Sequence, residues 1–203
     1  MVMDFTTLKV NLEKSGYNVS VFETAEEAAC YLESAISGKT VAFGGSVSVR
    51  DMGLYEKLSK NNTVYWHWKP EDGQTGKQVC SIARNAEIYI SSVNGVAETG
   101  EIVNIDGNGN RVAETTYGHE KVYLIAGKNK VAPDLHSAIG RARNIASPLN
   151  AKRLGMKTPC AVKGDKCYDC KSADRICRVL SIFLEKPNGC DYEVVLINEE
   201  IGY

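Results

Sequence analysis

Apolar residues along the chain switch between two spacings, and the switching sketches the fold. Phe5, Leu8 and Leu12 share a helical face, with Asp4 as the cap and Gly16 as the stop. Thr24 and Glu27 fit a capping box. Behind them Ala25, Ala28, Ala29, Leu32 and Ile36 keep helical spacing until Gly38. "KTVAFGGS" is a short apolar run closed by two glycines, which predicts a buried strand entering a tight turn. Ser48 and Asp51 then open a helix reaching about Lys60. "TVYWHW" is rich in β-forming residues. Residues 75–86 read as a helix carrying Val79, Ile82, Ala83 and Ala86, and "EIYISSVNG" as a strand.

Further on, "EIVNIDGNGNRVAE" reads as two alternating strands around a Gly/Asn/Asp turn, a hairpin. "KVYLIAG" is a buried strand. Pro133 to Ala146 is a helix with Leu135, Ala138, Ile139, Ala142, Ile145 and Ala146 on one face. "ICRVLSIFLEKP" and "DYEVVLINEE" supply the last two strands. Strands alternate with helices over residues 20–146. That predicts an α/β fold: a largely parallel sheet with helices on both faces and an antiparallel end. No repeat, low-complexity tract or linker divides the chain, so residues 1–203 read as one domain.

Composition narrows function mostly by exclusion. A 203-residue chain, 43% apolar and 24% charged, can bury about 70% of its unfolded surface and needs no disulfides to fold. A formal net charge of -1 gives no general case for nucleic acid or membrane partners. No apolar run has the length of a membrane span, and the N-terminus lacks a signal-peptide pattern. The expected location is therefore the cytoplasm, where thiols stay reduced.

Four places carry candidate chemistry. In "AFGGS", Gly44 and Gly45 allow close backbone approach to a ligand, and Ser46 and Ser48 add hydroxyls. Beyond a parallel strand and before a helix, that suits a phosphate or carboxylate; a plain strand-to-helix turn has the same spacing. Glu98 and Glu101 follow the strand "EIYISS", where a carboxylate serves as base or nucleophile. Asn94, Asp106, Asn108 and Asn110 read as turn residues that double as hydrogen-bonding groups. Arg141, Arg143, Lys152, Arg153 and Lys157 form a basic set; Arg141 and Arg143 fall off the apolar face of their helix and read as solvated. Asn150 and Lys152 fall in an expected loop before the cysteines. His67, His119 and His136 are isolated and carry no assigned role.

Four of the seven cysteines fall between Thr158 and Arg178. Cys160, Cys167, Cys170 and Cys177 are spaced C-x6-C-x2-C-x6-C in a polar, loop-like segment. Four thiolates suit zinc or an iron–sulfur cluster; a redox C-x2-C pair and reduced structural thiols are the alternatives. Cys30, Cys80 and Cys190 read as ordinary residues. No nicotinamide fingerprint is present: "GGSVSVRDMG" is not G-x-G-x-x-G, and "IDGNGN" is expected in a hairpin rather than before a helix, so NAD is not expected.

The segments "VAFGGSVSVRDMGL", "VNGVAETGEIVNIDGNGNRVAE", "KVYLIAGKNKVAPDL", "RNIASPLNAKRL", "TPCAVKGDKCYDCKSADRICR" and "VVLINEEIGY" resemble the LUD-domain family of bacterial lactate-utilization proteins. The match is to short single-domain members with a C-terminal cysteine segment. The resemblance implies a fold similar to ribose-5-phosphate isomerases and CoA-transferases. Gly44, Gly45 and Ser46 would then contact a phosphate, CoA or carboxylate, and Glu98 would be the nearest candidate for a catalytic acid, base or nucleophile. It implies a small anionic metabolite as ligand, lactate or organic-acid metabolism as the setting, and other lactate-utilization proteins of an iron–sulfur oxidoreductase system as partners. A CoA-transferase or sugar-phosphate isomerase is the alternative, as is a non-catalytic redox-sensing or assembly subunit. A homo-oligomer is compatible with any of these.

Overall fold

The computed structural model describes residues 3–203. The strands are β1 (Asn18–Phe22), β2 (Thr40–Phe43), β3 (Thr63–Trp66), β4 (Ile88–Ser92), β5 (Gly95–Ala97), β6 (Ile102–Asp106), β7 (Lys121–Gly127), β8 (Val131–Ala132), β9 (Val179–Phe183) and β10 (Asp191–Ile197). Six of them form one sheet in the order β1-β10-β7-β4-β2-β3, with every pair parallel. The other four form a smaller sheet, β8-β5-β6-β9, which contains the antiparallel pairs. The expected antiparallel end of the main sheet is therefore a separate sheet.

The helices are α1 (Thr6–Lys14), α2 (Ala25–Ala35), α3 (Val47–Asp51), α4 (Leu54–Leu58), α5 (Gly76–Ala83), α6 (Asn110–Thr116), α7 (Leu135–Arg141), α8 (Ser147–Arg153) and α9 (Pro159–Lys163). Both faces of the main sheet are covered, which is why its central strands are apolar runs rather than alternations. Along β7, Val122, Leu124 and Ala126 pack with Leu8, Leu12 and Tyr192. Tyr123 and Ile125 point the other way, among Leu32, Val49 and Leu58. Leu8, Leu12, Leu32 and Leu58 are at most 1% exposed, so each contributes about 2 kcal/mol of transfer free energy. A smaller cluster of Ala97, Val103, Ala132, Ala138 and Ala142 seats α7 on the second sheet. No helix among the described residues is long and apolar enough to cross a membrane.

Three local expectations change. The helix assigned to Ser48–Lys60 is capped by Ser46, whose hydroxyl accepts the Val49 N–H. It breaks at Gly53, whose φ of 63° ends one turn and starts α4. The hairpin over residues 101–114 is one strand, β6, followed by a turn and α6. Asp106 makes the difference: its carboxylate accepts the N–H groups of Asn108, Gly109 and Val112, capping the helix that the Asn-Gly pairs disguise. "IDGNGN" thus does precede a helix, although the strand before it lies in the smaller mixed sheet.

Finally, the helix expected to stop at Ala146 continues to Arg153 through a π-type turn at Ala142–Ala146. The wide turn accommodates Pro148, which has no N–H to give. It also rotates the apolar stripe, leaving Ile145 48% exposed while Ala142 and Ala146 stay buried.

Candidate functional site

The main sheet has a switch point between β2 and β4. From β2 the chain steps outward to β3; from β4 it turns the other way, toward β7 and β10. Neighbouring connections diverge there, opening a crevice beyond the strand ends. A cavity of about 410 Å³ occupies this place. Gly45, Val47 and Ser48 follow β2; Ser92 and Asn94 end β4. Gly44 lies one layer deeper, where a Cβ would stand 2.5 Å from the Ser91 hydroxyl. Ser46 Oγ donates to Ser92 Oγ at 2.7 Å, tying the two strand ends together. The first turn of α3 borders the cavity through Val47 and Ser48, and its Val49 N–H is capped by Ser46 Oγ.

Five cations line the cavity: Arg111, Lys130, Arg153, Arg175 and Arg178. Asp106 is the single carboxylate side chain among the lining residues. Arg111 is 9% exposed. It donates to Ser92 O, Asn104 Oδ1, Asn94 Oδ1 and Ile105 O at 2.5–3.0 Å, so one guanidinium joins the ends of β4 and β6. Lys130 is 1% exposed, and its Nζ donates to Ser48 Oγ at 2.7 Å. Burial, reinforced by Arg141 and Arg111 and opposed by Asp51, pushes its ammonium down to about 7. Arg153 lies over the Trp68 ring, 4.9 Å from its centroid, and donates to Asn150 Oδ1. Arg178 donates to the carbonyls of Arg175 and Ala173. The guanidinium groups of Arg111, Arg153 and Arg178 thus hydrogen-bond to neutral oxygens and keep their charge available. His67 also faces the cavity; burial holds its imidazole below the ordinary value, with Asp106 opposing.

The residues singled out in the sequence divide between this place and others. Gly45, Asn94, Asp106 and Asn150 line the cavity, and Gly44 and Ser46 support it. Asn150 sits on α8 rather than in a loop. Lys152, on the same helix, is exposed and outside the lining. Glu98 lies at the far end of β5, away from the switch point. Its N–H bonds to Ala132 O and its carbonyl accepts Asn11 Nδ2. The catalytic role expected of Glu98 thus has no cavity contact behind it. Arg141 is not a solvated residue: it is 9% exposed and donates to the carbonyls of Asn129 and Asn94 at 2.6 Å. Arg111 and Lys130 escaped the sequence reading altogether. The first falls in the second strand of the expected hairpin and the second has no local signal, although both fall in segments that carry the family resemblance.

The cysteine segment forms part of the cavity wall through Arg175, Ile176 and Arg178. Ile176 O would be 2.8 Å from a Cβ on Gly107, so the segment packs closely on the turn after β6. Cys160 is buried on α9 beside Ala151 and Ala161, within 3.3 Å of Thr158 Oγ1. Cys167 Sγ accepts the Asp169 N–H and lies 3.8 Å from Arg143 Nη2. Arg175 donates to the carbonyls of Cys170 and Cys177. All seven cysteines are free thiols. Among the described residues no three His, Cys, Asp or Glu side chains are placed to hold a metal ion, so the arrangement of the four cysteines does not fit a closed zinc or iron–sulfur site.

A parallel α/β sheet with a cation-lined cavity at its switch point defines the class of this molecule. The chain belongs to the LUD domain family, whose model matches residues 6–197. Among solved structures it is similar to a DUF162 family protein from Deinococcus radiodurans, at 10% identity over 94% of both chains with a TM-score of 0.55. A ribose 5-phosphate isomerase from Plasmodium falciparum aligns with 53% of this chain and 52% of its own, at 13% identity and a TM-score of 0.35. That likeness is too low to carry an argument. No curated protein matches the chain.

Proposed function

We propose that the chain binds a small organic anion, a carboxylate or phosphate compound of organic-acid metabolism, in the cavity at the switch point. The observation that carries this reading is the lining charge of five cations against one carboxylate side chain, in a chain whose net charge is -1. Two of the five, Arg111 and Lys130, are buried with no carboxylate bonded to them; such groups are costly, and a ligand that supplies negative charge offsets that cost. Membership of the LUD family supports lactate and related acids as the first compounds to try. A phosphate group suits the same surroundings, because Arg153 and Arg178 present planar donors at the rim.

Titration calorimetry with L-lactate, inorganic phosphate and ribose 5-phosphate tests the proposal. Saturable binding that weakens with added salt and with Arg178→Gln is expected. A parent protein that binds none of the three overturns it.

The alternative reading, an isomerase or transferase, draws on the same cavity. It would have to use Asp106, His67 or Lys130 rather than Glu98, because those acid and base side chains line the cavity and Glu98 does not. Turnover of a phosphosugar or a CoA thioester would favour it over simple binding.

A further inference from the structure

Lys130 is the most unusual residue in the molecule. It is among the largest fully buried side chains, yet it carries an amine. Its Nζ has a hydroxyl partner, Ser48 Oγ, which in turn donates to Ile201 O at 3.2 Å. The nearby charges on neighbouring elements are two arginines, Arg141 on α7 and Arg111 on α6, and one carboxylate, Asp51 on α3, which opposes them but is paired with Arg50. Lysines with a structural role in a core normally meet a carboxylate. This one instead faces a cavity.

We infer that Lys130 is an imine-forming lysine, and that the anion taken by the cavity also carries an aldehyde or ketone carbonyl. This rests on the anion-binding reading and narrows it to oxo acids and open-chain sugar phosphates. The neutral amine attacks the carbonyl carbon through its nitrogen lone pair; the C–N bond forms as the C=O π pair moves to oxygen, which takes up a proton while the nitrogen gives up one of its two. The resulting carbinolamine then loses water: the hydroxyl leaves with a proton, the C=N bond forms, and the nitrogen gives up its remaining proton. One amine and one carbonyl thus give one imine and one water, with no external oxidant or reductant.

The surroundings favour each part of this. An ordinary lysine is neutral about once in 2,500 molecules at pH 7. With its ammonium pushed down to about 7, Lys130 is neutral about half the time, a gain of about a thousandfold in nucleophile. An arriving anion would pull the amine back toward its charged form, and Arg111 and Arg141 oppose that. Ser48 Oγ lies at hydrogen-bond distance from the nitrogen and can relay the proton that the carbinolamine sheds.

The test is reductive trapping on the whole chain. The protein is incubated with pyruvate or ribose 5-phosphate, then treated with a mild borohydride and mapped by peptide mass spectrometry. The expected result is one adduct per chain, on Lys130, forming at least about tenfold faster than on any exposed lysine. Excess inorganic phosphate should suppress it, and Lys130→Met should abolish it. Calorimetry on the same samples separates the two claims. A probe that binds without labelling Lys130, or labels only exposed lysines, overturns the imine inference and leaves the anion site standing. Failure of every probe and of phosphate to bind overturns the anion site and the inference with it. The wild-type map decides the matter even if the variant does not fold.

Discussion

Replacing Lys130 with Met should make the protein more stable near neutral pH, and the gain should vanish in alkali. Lys130 is a buried amine. In the unfolded chain it titrates at its ordinary value of 10.5; in the fold it titrates near 7. As pH falls from about 10.5 to about 7, the unfolded chain takes up a proton that the native amine declines. The native state therefore loses stability across that window, and the penalty is constant below it. At about 1.4 kcal/mol for each pH unit, the penalty near pH 7 is about 4 kcal/mol. Met has a similar length and fills the same space without charge, while losing the bond to Ser48 costs about 1 kcal/mol. The net expectation is a gain of about 3 kcal/mol near pH 7 that falls to nothing near pH 10. Urea unfolding of parent and variant across this range reads the difference directly, because other groups titrate alike in both. A difference that stays flat between those limits would mean that Lys130 is charged and solvated in the fold. It would remove the basis of the imine and leave the anion reading of the cavity standing.

Other consequences are narrower. Arg178→Gln removes one rim cation and should weaken inorganic phosphate about fivefold, or about 1 kcal/mol, with a shallower salt dependence; an unchanged affinity would place the anion elsewhere. Gly107→Ala puts a Cβ 2.8 Å from Ile176 O. It should cost about 1–3 kcal/mol and speed alkylation of Cys167, Cys170 and Cys177, which sit on the segment it pushes away. Thr24→Ala removes the hydroxyl that accepts the Glu27 N–H and should destabilise the fold by about 1 kcal/mol without touching anion binding. Iron, zinc and sulfide content of protein purified without oxygen tests the cysteine segment. With no three metal-ligating side chains placed together among the described residues, less than one metal per chain is expected; a full equivalent would require the segment to close around an ion.

Much of the scaffold is legible in the sequence because it is local. The α2 capping box needs only Thr24 and Glu27 three positions apart, and both of its bonds form. The central strands β4, β7 and β10 announce themselves as apolar runs, since each is buried on both faces. Failures come where one side chain decides between two local structures. Asp106 converts a hairpin signal into a helix cap, and the π-type turn moves Ile145 off the core while Ala146 stays on it. The glycine turn after β2 was readable as half of the site, because strand, Gly-Gly and helix follow one another in the chain. Its cationic half was not. Arg111, Lys130 and Arg178 come from three distant segments, and only the sheet order brings them to one cavity.

The central claim is that the cavity at the switch point is an anion site. Crystals grown with selenate test it most directly, because selenium gives an anomalous signal that needs no prior assignment. An anomalous peak is expected inside the cavity, within hydrogen-bond distance of Arg178 or Arg153 and on the side of Lys130. An empty cavity with peaks confined to exposed lysines would contradict it.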